Sequence, residues 1–169
     1  LQSYEFLADI DFIRAKALFA EQVKAIKPIV EDKRQMDWVR AVHPLLFLSL
    51  QKQGKQVVPL DIELTEGKRI LIISGPNAGG KSVCLKTVGL LQYMLQCGLL
   101  IPLHERSRTG IFEHIFIDIG DEQSIEDDLS TYSSHLTNMK IMMKNCNERS
   151  LILIDLSLIH ISEPTRQEA

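Results

Sequence analysis

The residues best able to do chemistry lie at positions 75–82, which have the sequence GPNAGGKS. This stretch fits the pattern G-x-x-x-x-G-K-[ST], in which glycines let several backbone N–H groups point at phosphate oxygens. Lys81 can then reach the β- and γ-phosphates of a nucleotide, and the Ser82 hydroxyl can ligate Mg²⁺. The pattern therefore predicts a site for ATP with magnesium. Its residues would be Gly75, Pro76, Asn77, Ala78, Gly79, Gly80, Lys81 and Ser82.

A carboxylate that could complete the magnesium site is Asp155, which directly follows the apolar run LILI at positions 151–154. A strand that ends in aspartate is the Walker B arrangement of nucleotide-binding proteins. Ligands collect at the carboxyl ends of parallel strands, so we expect Asp155 and Gly75 to lie close together.

The elements around the glycine-rich stretch fit this chemistry. The run ILII at positions 70–73 predicts a strand buried on both faces, and a helix is predicted from about Lys81 to Gln96, with Gly98 after its end. The N-terminus of that helix would add partial positive charge beside the phosphates. A glycine-rich turn with a solvent-facing lysine is the alternative interpretation.

Hydrophobic periodicity predicts further elements on both sides of this region. Helices are expected at about 4–26 and 130–145, and strands at 57–64, 115–119 and 151–154. The order of these elements predicts an α/β fold. Residues 28–40 give no clear pattern.

Composition limits the possible partners of the chain. It has 169 residues with 45% hydrophobic content and a net charge of −3, so no basic nucleic-acid face is indicated. No apolar run is long enough to span a membrane. The cysteines, Cys84, Cys97 and Cys146, have no CxxC spacing and are expected to be small core residues in a reducing, cytoplasmic setting. The histidines are interpreted as ordinary surface or boundary residues.

The motifs taken together resemble one known family. GPNAGGKS, LKTVGLL, IFIDIGDEQSIEDDLSTYSSHLTNM and LILID are similar to the ATPase domain of MutS proteins, and most similar to the MutS-two branch. The resemblance extends over nearly all of residues 1–155. It implies a P-loop fold of the ABC/MutS type with a mostly parallel sheet, preceded by a helical lever segment.

The resemblance also implies a domain organisation and partners. Residues 1–40 would end the lever, 41–155 would form a partial ATPase domain, and 156–169 would be a tail outside the family pattern. The parent protein would be a cytoplasmic homodimer that binds ATP and Mg²⁺ through this domain. It would bind mismatched or branched DNA through domains absent here, with possible endonuclease activity.

Several residues receive roles from the resemblance alone. Asp155 would hold Mg²⁺ through water, and Ser130 would reach the γ-phosphate bound by the opposite subunit. Gln123 would sense the γ-phosphate and the metal, and Val58 and Pro59 would pack on the adenine. Ordinary interpretations remain open: Ser130 can be an N-cap at a helix start, and Gln123 can be a solvated loop residue.

Residues 156–169 depart from the family pattern. Leu156 stands where the family has a glutamate general base, and LSLIHISEPTR matches a translated sequencing adaptor. We therefore expect a chain truncated after Walker B, with very weak hydrolysis. Sequencing the gene across codon 155 tests the hypothesis that this tail is an artefact, and the same tail in intact genomic DNA would contradict it.

Two other functions remain possible on sequence grounds. The chain can be a nucleotide-binding module that does not hydrolyse ATP, or it can belong to another P-loop class such as the small-molecule kinases. A kinase of that class needs an acceptor site and an arginine-rich lid, and neither is evident in the sequence.

Overall fold

The computed structural model describes residues 2–75, 80–119 and 128–155. Its helices are α1 (Gln2–Gln22), α2 (Pro44–Lys52), α3 (Lys81–Gln96) and α4 (Asp128–Asn145). Its strands are β1 (Ile29–Val30), β2 (Met36–Ala41), β3 (Leu60–Leu64), β4 (Arg108–Thr109), β5 (His114–Asp118) and β6 (Ser150–Ile154). The domain boundaries at 40 and 155 stay predictions, and the tail 156–169 lies outside the described residues.

The strands form two separate sheets, so the prediction of a mostly parallel sheet is wrong. One sheet has four strands in the order β1-β4-β2-β3, and it is mixed: β1 pairs parallel to β4, while β2 pairs antiparallel to both neighbours. The other sheet has two parallel strands, β5 and β6, in register from His114 with Ser150 to Asp118 with Ile154. Residues 28–40, which gave no clear pattern, contribute β1 and most of β2 to the mixed sheet.

The expectation of a buried strand at residues 70–73 is also wrong. This segment forms no strand, and Ile70 and Ile72 are each 84% exposed. A strand requires a neighbouring backbone that accepts and donates its hydrogen bonds. No strand within the described ranges pairs with this segment. The apolar run predicted a buried strand. A buried strand also requires a neighbouring strand, and the local sequence alone does not show whether one is present.

Helix α3 is the element that joins the two sheets, and its predicted bounds are confirmed. It begins after Gly80, whose φ of +80° suits glycine, and ends before Gly98, whose φ is +75°. Gly89 allows close packing on β5 and β6, because an added Cβ would lie 3.0 Å from side-chain atoms of Ile117 and Leu153. The core it shares with both sheets comprises Met36, Trp38, Ala41, Ile62, Val88, Leu91, Met94, Ile101, Leu103, Phe112, Leu151 and Leu153.

Two glutamines of α3 hold the segment that leads from β4 into β5. Gln92, fully buried, donates to the Gly110 carbonyl at 3.0 Å and accepts from the Thr109 hydroxyl at 3.2 Å. Gln96 donates to the Phe112 carbonyl and accepts from the Phe112 N–H, both at 3.0 Å. These bonds satisfy backbone groups that would otherwise be buried without partners.

The helix predicted at about 4–26 is present as α1, but it ends at Gln22. Ala20, near its end, is buried, whereas Ile10 and Ile13 are exposed. No helix among the described residues is long and apolar enough to cross a membrane.

The predicted environment of the cysteines needs correction, whereas His43 is the boundary residue that was expected. Cys97 and Cys146 are exposed and Cys84 is half-buried, so the expectation of three core cysteines is wrong.

His43 caps α2, since its Nδ1 accepts from the Leu46 N–H at 3.3 Å. Burial and the charge of Lys86 lower the pKa of His43, which favours the neutral form that this cap requires.

The packing around Gly110 generates a stability prediction. An added Cβ at Gly110 would lie 1.9 Å from the backbone oxygen of Lys33, and the Gly110 N–H donates to the Gln35 carbonyl at 2.7 Å. Because backbone atoms cannot move aside cheaply, we expect Gly110→Ala to lower the free energy of unfolding by about 2–3 kcal/mol. Urea unfolding followed by the fluorescence of Trp38, the single tryptophan, measures this change.

Gly67→Ala is the matched control, because no atom lies within 4 Å of a Cβ added there. We expect its free energy of unfolding to stay within about 0.5 kcal/mol of the parent value. Equal unfolding midpoints for the two alanine variants would contradict the packing seen at Gly110.

Candidate functional site

The first residue of α3, Lys81, folds back across the glycine-rich stretch. Its ammonium donates to the Gly75 carbonyl at 2.7 Å. This bond joins the first residue of the stretch to the first residue of α3. Residues 76–79 lie outside the described residues. The left-handed backbone at Gly80 leads directly into the helix, so the N-terminus of α3 and its partial positive charge lie at this place.

The second residue of α3, Ser82, contacts the predicted metal ligand. Its Oγ donates to Oδ2 of Asp155 at 2.5 Å, although the two residues are 73 positions apart. Asp155 directly follows β6 and is only 6% exposed. A buried carboxylate requires polar partners, and the hydroxyl of Ser82 is one of them. The structure therefore brings together the two side chains that the sequence predicted as metal ligands.

The donor set fits magnesium. Ser82 and Asp155 offer hard oxygen atoms side by side, and Mg²⁺ is held in proteins by one or two carboxylates together with phosphate and water oxygens. Within the described ranges no three His, Cys, Asp or Glu side chains cluster as a metal site.

A second buried carboxylate lies beside Asp155. Asp118, the last residue of β5, is 5% exposed. Its Oδ2 lies 2.6 Å from Nδ1 of His135, and its Oδ1 accepts from the side-chain amide of Asn138 at 2.9 Å. The backbone carbonyl of Asp118 accepts the Asp155 N–H at 2.9 Å. The ends of β5 and β6 are thus bonded to each other and to α4.

Sequence reasoning missed the Asp118 cluster, which we define as Asp118, His135 and Asn138. His135 is half-buried, which agrees with its interpretation as a boundary residue, but its pairing with Asp118 was not predicted. A signal was present in the sequence: HIFID at β5 repeats the pattern of LILID, an apolar run that ends in aspartate.

A cavity of about 770 Å³ opens beside the site. It lies between the segment 70–75 and β6, and Lys81 and Asp155 line it together with apolar side chains such as Leu85 and Phe112. Among the described residues that line it, neither Val58 nor Pro59 occurs. Val58 is 89% exposed, so the structure does not bring the predicted adenine-packing residues to this cavity.

The structure does not describe Gln123, and it describes Ser130 only by its place in a helix. Gln123 lies outside the described residues. Ser130 lies inside α4, which begins at Asp128, so its interpretation as the N-cap of this helix is wrong. Its proposed contact with a partner's nucleotide stays a prediction.

Known proteins resemble this chain over the region that contains the candidate site. The family model of MutS domain V matches residues 71–157. The "Endonuclease MutS2" of Shouchella clausii is 49% identical over 155 residues, which cover 92% of this chain and 19% of that protein. The "Endonuclease MutS2" of Agathobacter rectalis is 46% identical over 168 residues, covering 99% of this chain and 20% of that protein.

The "Putative endonuclease MutS2" of Bacillus subtilis is 50% identical over 151 residues, which cover 89% of this chain and 18% of that protein. The chain thus spans about a fifth of the length of the curated relatives it matches. The similarity includes the glycine-rich stretch, α3, β5, β6 and Asp155.

Proposed function

Because this chain belongs to the MutS family and matches its domain V, we propose that it is the ATP- and Mg²⁺-binding part of a MutS-type ATPase. The similarity to MutS2 proteins supports that branch, and with it a role in DNA repair or in the control of recombination. The observation that best supports nucleotide binding is the contact between Ser82 and Asp155 at the N-terminus of α3, with Lys81 beside it.

Phosphate binding would use groups that already face one another. Lys81 bonds the Gly75 carbonyl, and this ammonium can exchange the carbonyl for the more strongly bonding oxygens of a phosphate chain. The N–H groups at the start of α3 add donors and partial positive charge at the same place. A triphosphate would therefore be held at the mouth of the glycine-rich stretch.

The metal would be held by the Ser82 hydroxyl and the Asp155 carboxylate. When bound, Mg²⁺ would neutralise charge on the β- and γ-phosphates. Burial of Asp155 and its backbone bond to Asp118 fix the carboxylate, so little ordering cost remains on binding. Direct ligation by Asp155 or ligation through water both agree with this arrangement.

Binding without efficient hydrolysis is favoured for the chain as written. The residue after Asp155 is Leu156, and an aliphatic side chain can neither accept a proton nor orient an attacking water. The family resemblance expects glutamate at this position. We propose that the longer parent protein hydrolyses ATP and that this chain only binds it, or hydrolyses it very slowly.

DNA contacts and dimer formation belong to the longer protein in this proposal. The chain has a net charge of −3, so it offers no excess of positive charge for a phosphate backbone. The proteins named as MutS2 endonucleases are about five times as long as the aligned segment, which leaves room for other domains to bind and cut DNA.

Substitution of the two charged site residues tests the binding site. We expect Lys81→Ala to weaken a fluorescent ATP analogue with Mg²⁺ by about 100-fold, because charged bonds to phosphate are lost. Asp155→Asn should weaken Mg²⁺-dependent binding by about tenfold and leave metal-free binding nearly unchanged. Equilibrium titrations with and without EDTA measure both effects.

Lys52→Ala is the matched control, because Lys52 lies at the exposed end of α2. Its affinity should equal that of the parent chain. Parent-level binding by Lys81→Ala, or loss of binding by Lys52→Ala, would contradict a phosphate site at α3.

The predicted role of Ser130 generates a separate test. If Ser130 contacts a nucleotide held by a second copy, ATP with Mg²⁺ should raise the dimer fraction in sedimentation velocity runs. Ser130→Ala should then weaken this dimerisation by about tenfold without changing the affinity of the monomer for ATP. Thr137→Ala, whose hydroxyl bonds only the carbonyl of Ser133 on its own helix, is the control. A dimer fraction that does not change when ATP with Mg²⁺ is added would contradict the proposal.

A further inference from the structure

The Asp118 cluster contains a buried carboxylate that receives its side-chain partners from one helix. Both oxygens of Asp118 are bonded, one to His135 and one to Asn138. His135 and Asn138 are three positions apart on α4, so they project from the same face of that helix. Among the described ion pairs, none joins Asp118 to a lysine or an arginine.

The hydrogen-bond roles follow from the chemistry of the groups. When the Asp118 carboxylate is ionised it can only accept, so Nδ1 of His135 then carries the proton of this hydrogen bond. A buried carboxylate that loses a donor keeps the full cost of its desolvation. The position of α4 on the end of β5 is therefore held by two directional bonds as well as by packing.

The backbone of Asp118 extends this restraint to the proposed metal ligand. The carbonyl of Asp118 accepts the Asp155 N–H at 2.9 Å, and the Asp155 carboxylate accepts from Ser82 at 2.5 Å. A rotation of the Asp118 backbone would lengthen the first bond and move the Asp155 carboxylate away from Ser82. Helix α4 is thus connected to the candidate metal site through one residue.

We propose that His135 and Asn138 are positioning residues for Asp155. They fix the side chain of Asp118, and Asp118 fixes the backbone from which the Asp155 carboxylate reaches Ser82. The effect on metal binding rests on the proposed function, whereas the effect on the position of Asp155 does not.

The first arm of the test is hydrogen exchange in the nucleotide-free full chain. His135→Leu removes the donor at similar size, and we expect the Asp155 amide to exchange about tenfold faster than in the parent. His135→Asn keeps a side-chain N–H near the place of Nδ1 and should restore slow exchange. Thr137→Ala on the same helix should leave exchange at Asp155 unchanged.

The second arm measures Mn²⁺ affinity by electron paramagnetic resonance in the presence of ATP. His135→Leu should weaken Mn²⁺ about five- to tenfold and should change metal-free ATP affinity by less than about twofold. A general loss of structure would weaken both affinities together. If the unsubstituted chain binds no Mn²⁺ in the presence of ATP, the proposed function fails. Hydrogen exchange alone then decides whether His135 positions Asp155.

Two results would overturn the proposal. One is fast exchange confined to α4 with the Asp155 amide still protected, and the other is His135→Asn behaving as His135→Leu does. Trp38 fluorescence monitors folding of each variant, and Asn138→Ala, which removes one donor only, replaces His135→Leu if that variant unfolds.

Discussion

The hydrogen bond between Ser82 and Asp155 joins the start of α3 to the end of β6, and much of the molecule serves to hold these two ends together. Helix α3 packs on β5 and β6 at Gly89, where a side chain would crowd Ile117 and Leu153. The register of β6 against β5 then brings Asp155 level with the end of the neighbouring strand. Sequence-distant groups meet because a parallel pair ends both strands at one edge.

Hydrogen bonds of buried polar groups fix the orientation of the helices relative to the sheets. Apolar packing between α3 and the sheets is insensitive to small rotations, whereas hydrogen bonds are directional. Gln92 and Gln96 bond the Thr109 hydroxyl and the backbone of Gly110 and Phe112, and thereby set the point at which β5 begins. The Asp118 cluster performs the equivalent role at the other end of β5. One strand is therefore restrained at both ends by polar contacts with two different helices.

Some features could be predicted from sequence because they depend on local chemistry. The start of α3 followed from the glycine-rich motif and its end from Gly98, and β6 followed from an apolar run ending in aspartate. The run at residues 70–73 has the same apolar character, but it forms no strand because no neighbouring backbone pairs with it. A strand forms when a second strand pairs with it, and the sequence of one apolar run does not show which strand that is.

The sequence by itself determined that Lys81, Ser82 and Asp155 could form a phosphate and metal site. The local spacing of the glycine-rich motif indicates the first two residues, and the apolar run before Asp155 indicates the third. It also determined that a helix begins at about Lys81, since the glycine-rich motif specifies a turn that leads directly into a helix. Only the tertiary structure decided that the sheets are separate and that one of them is mixed. Tertiary packing likewise decided that His135 pairs with Asp118, because burial and pairing depend on contacts between residues far apart in the chain.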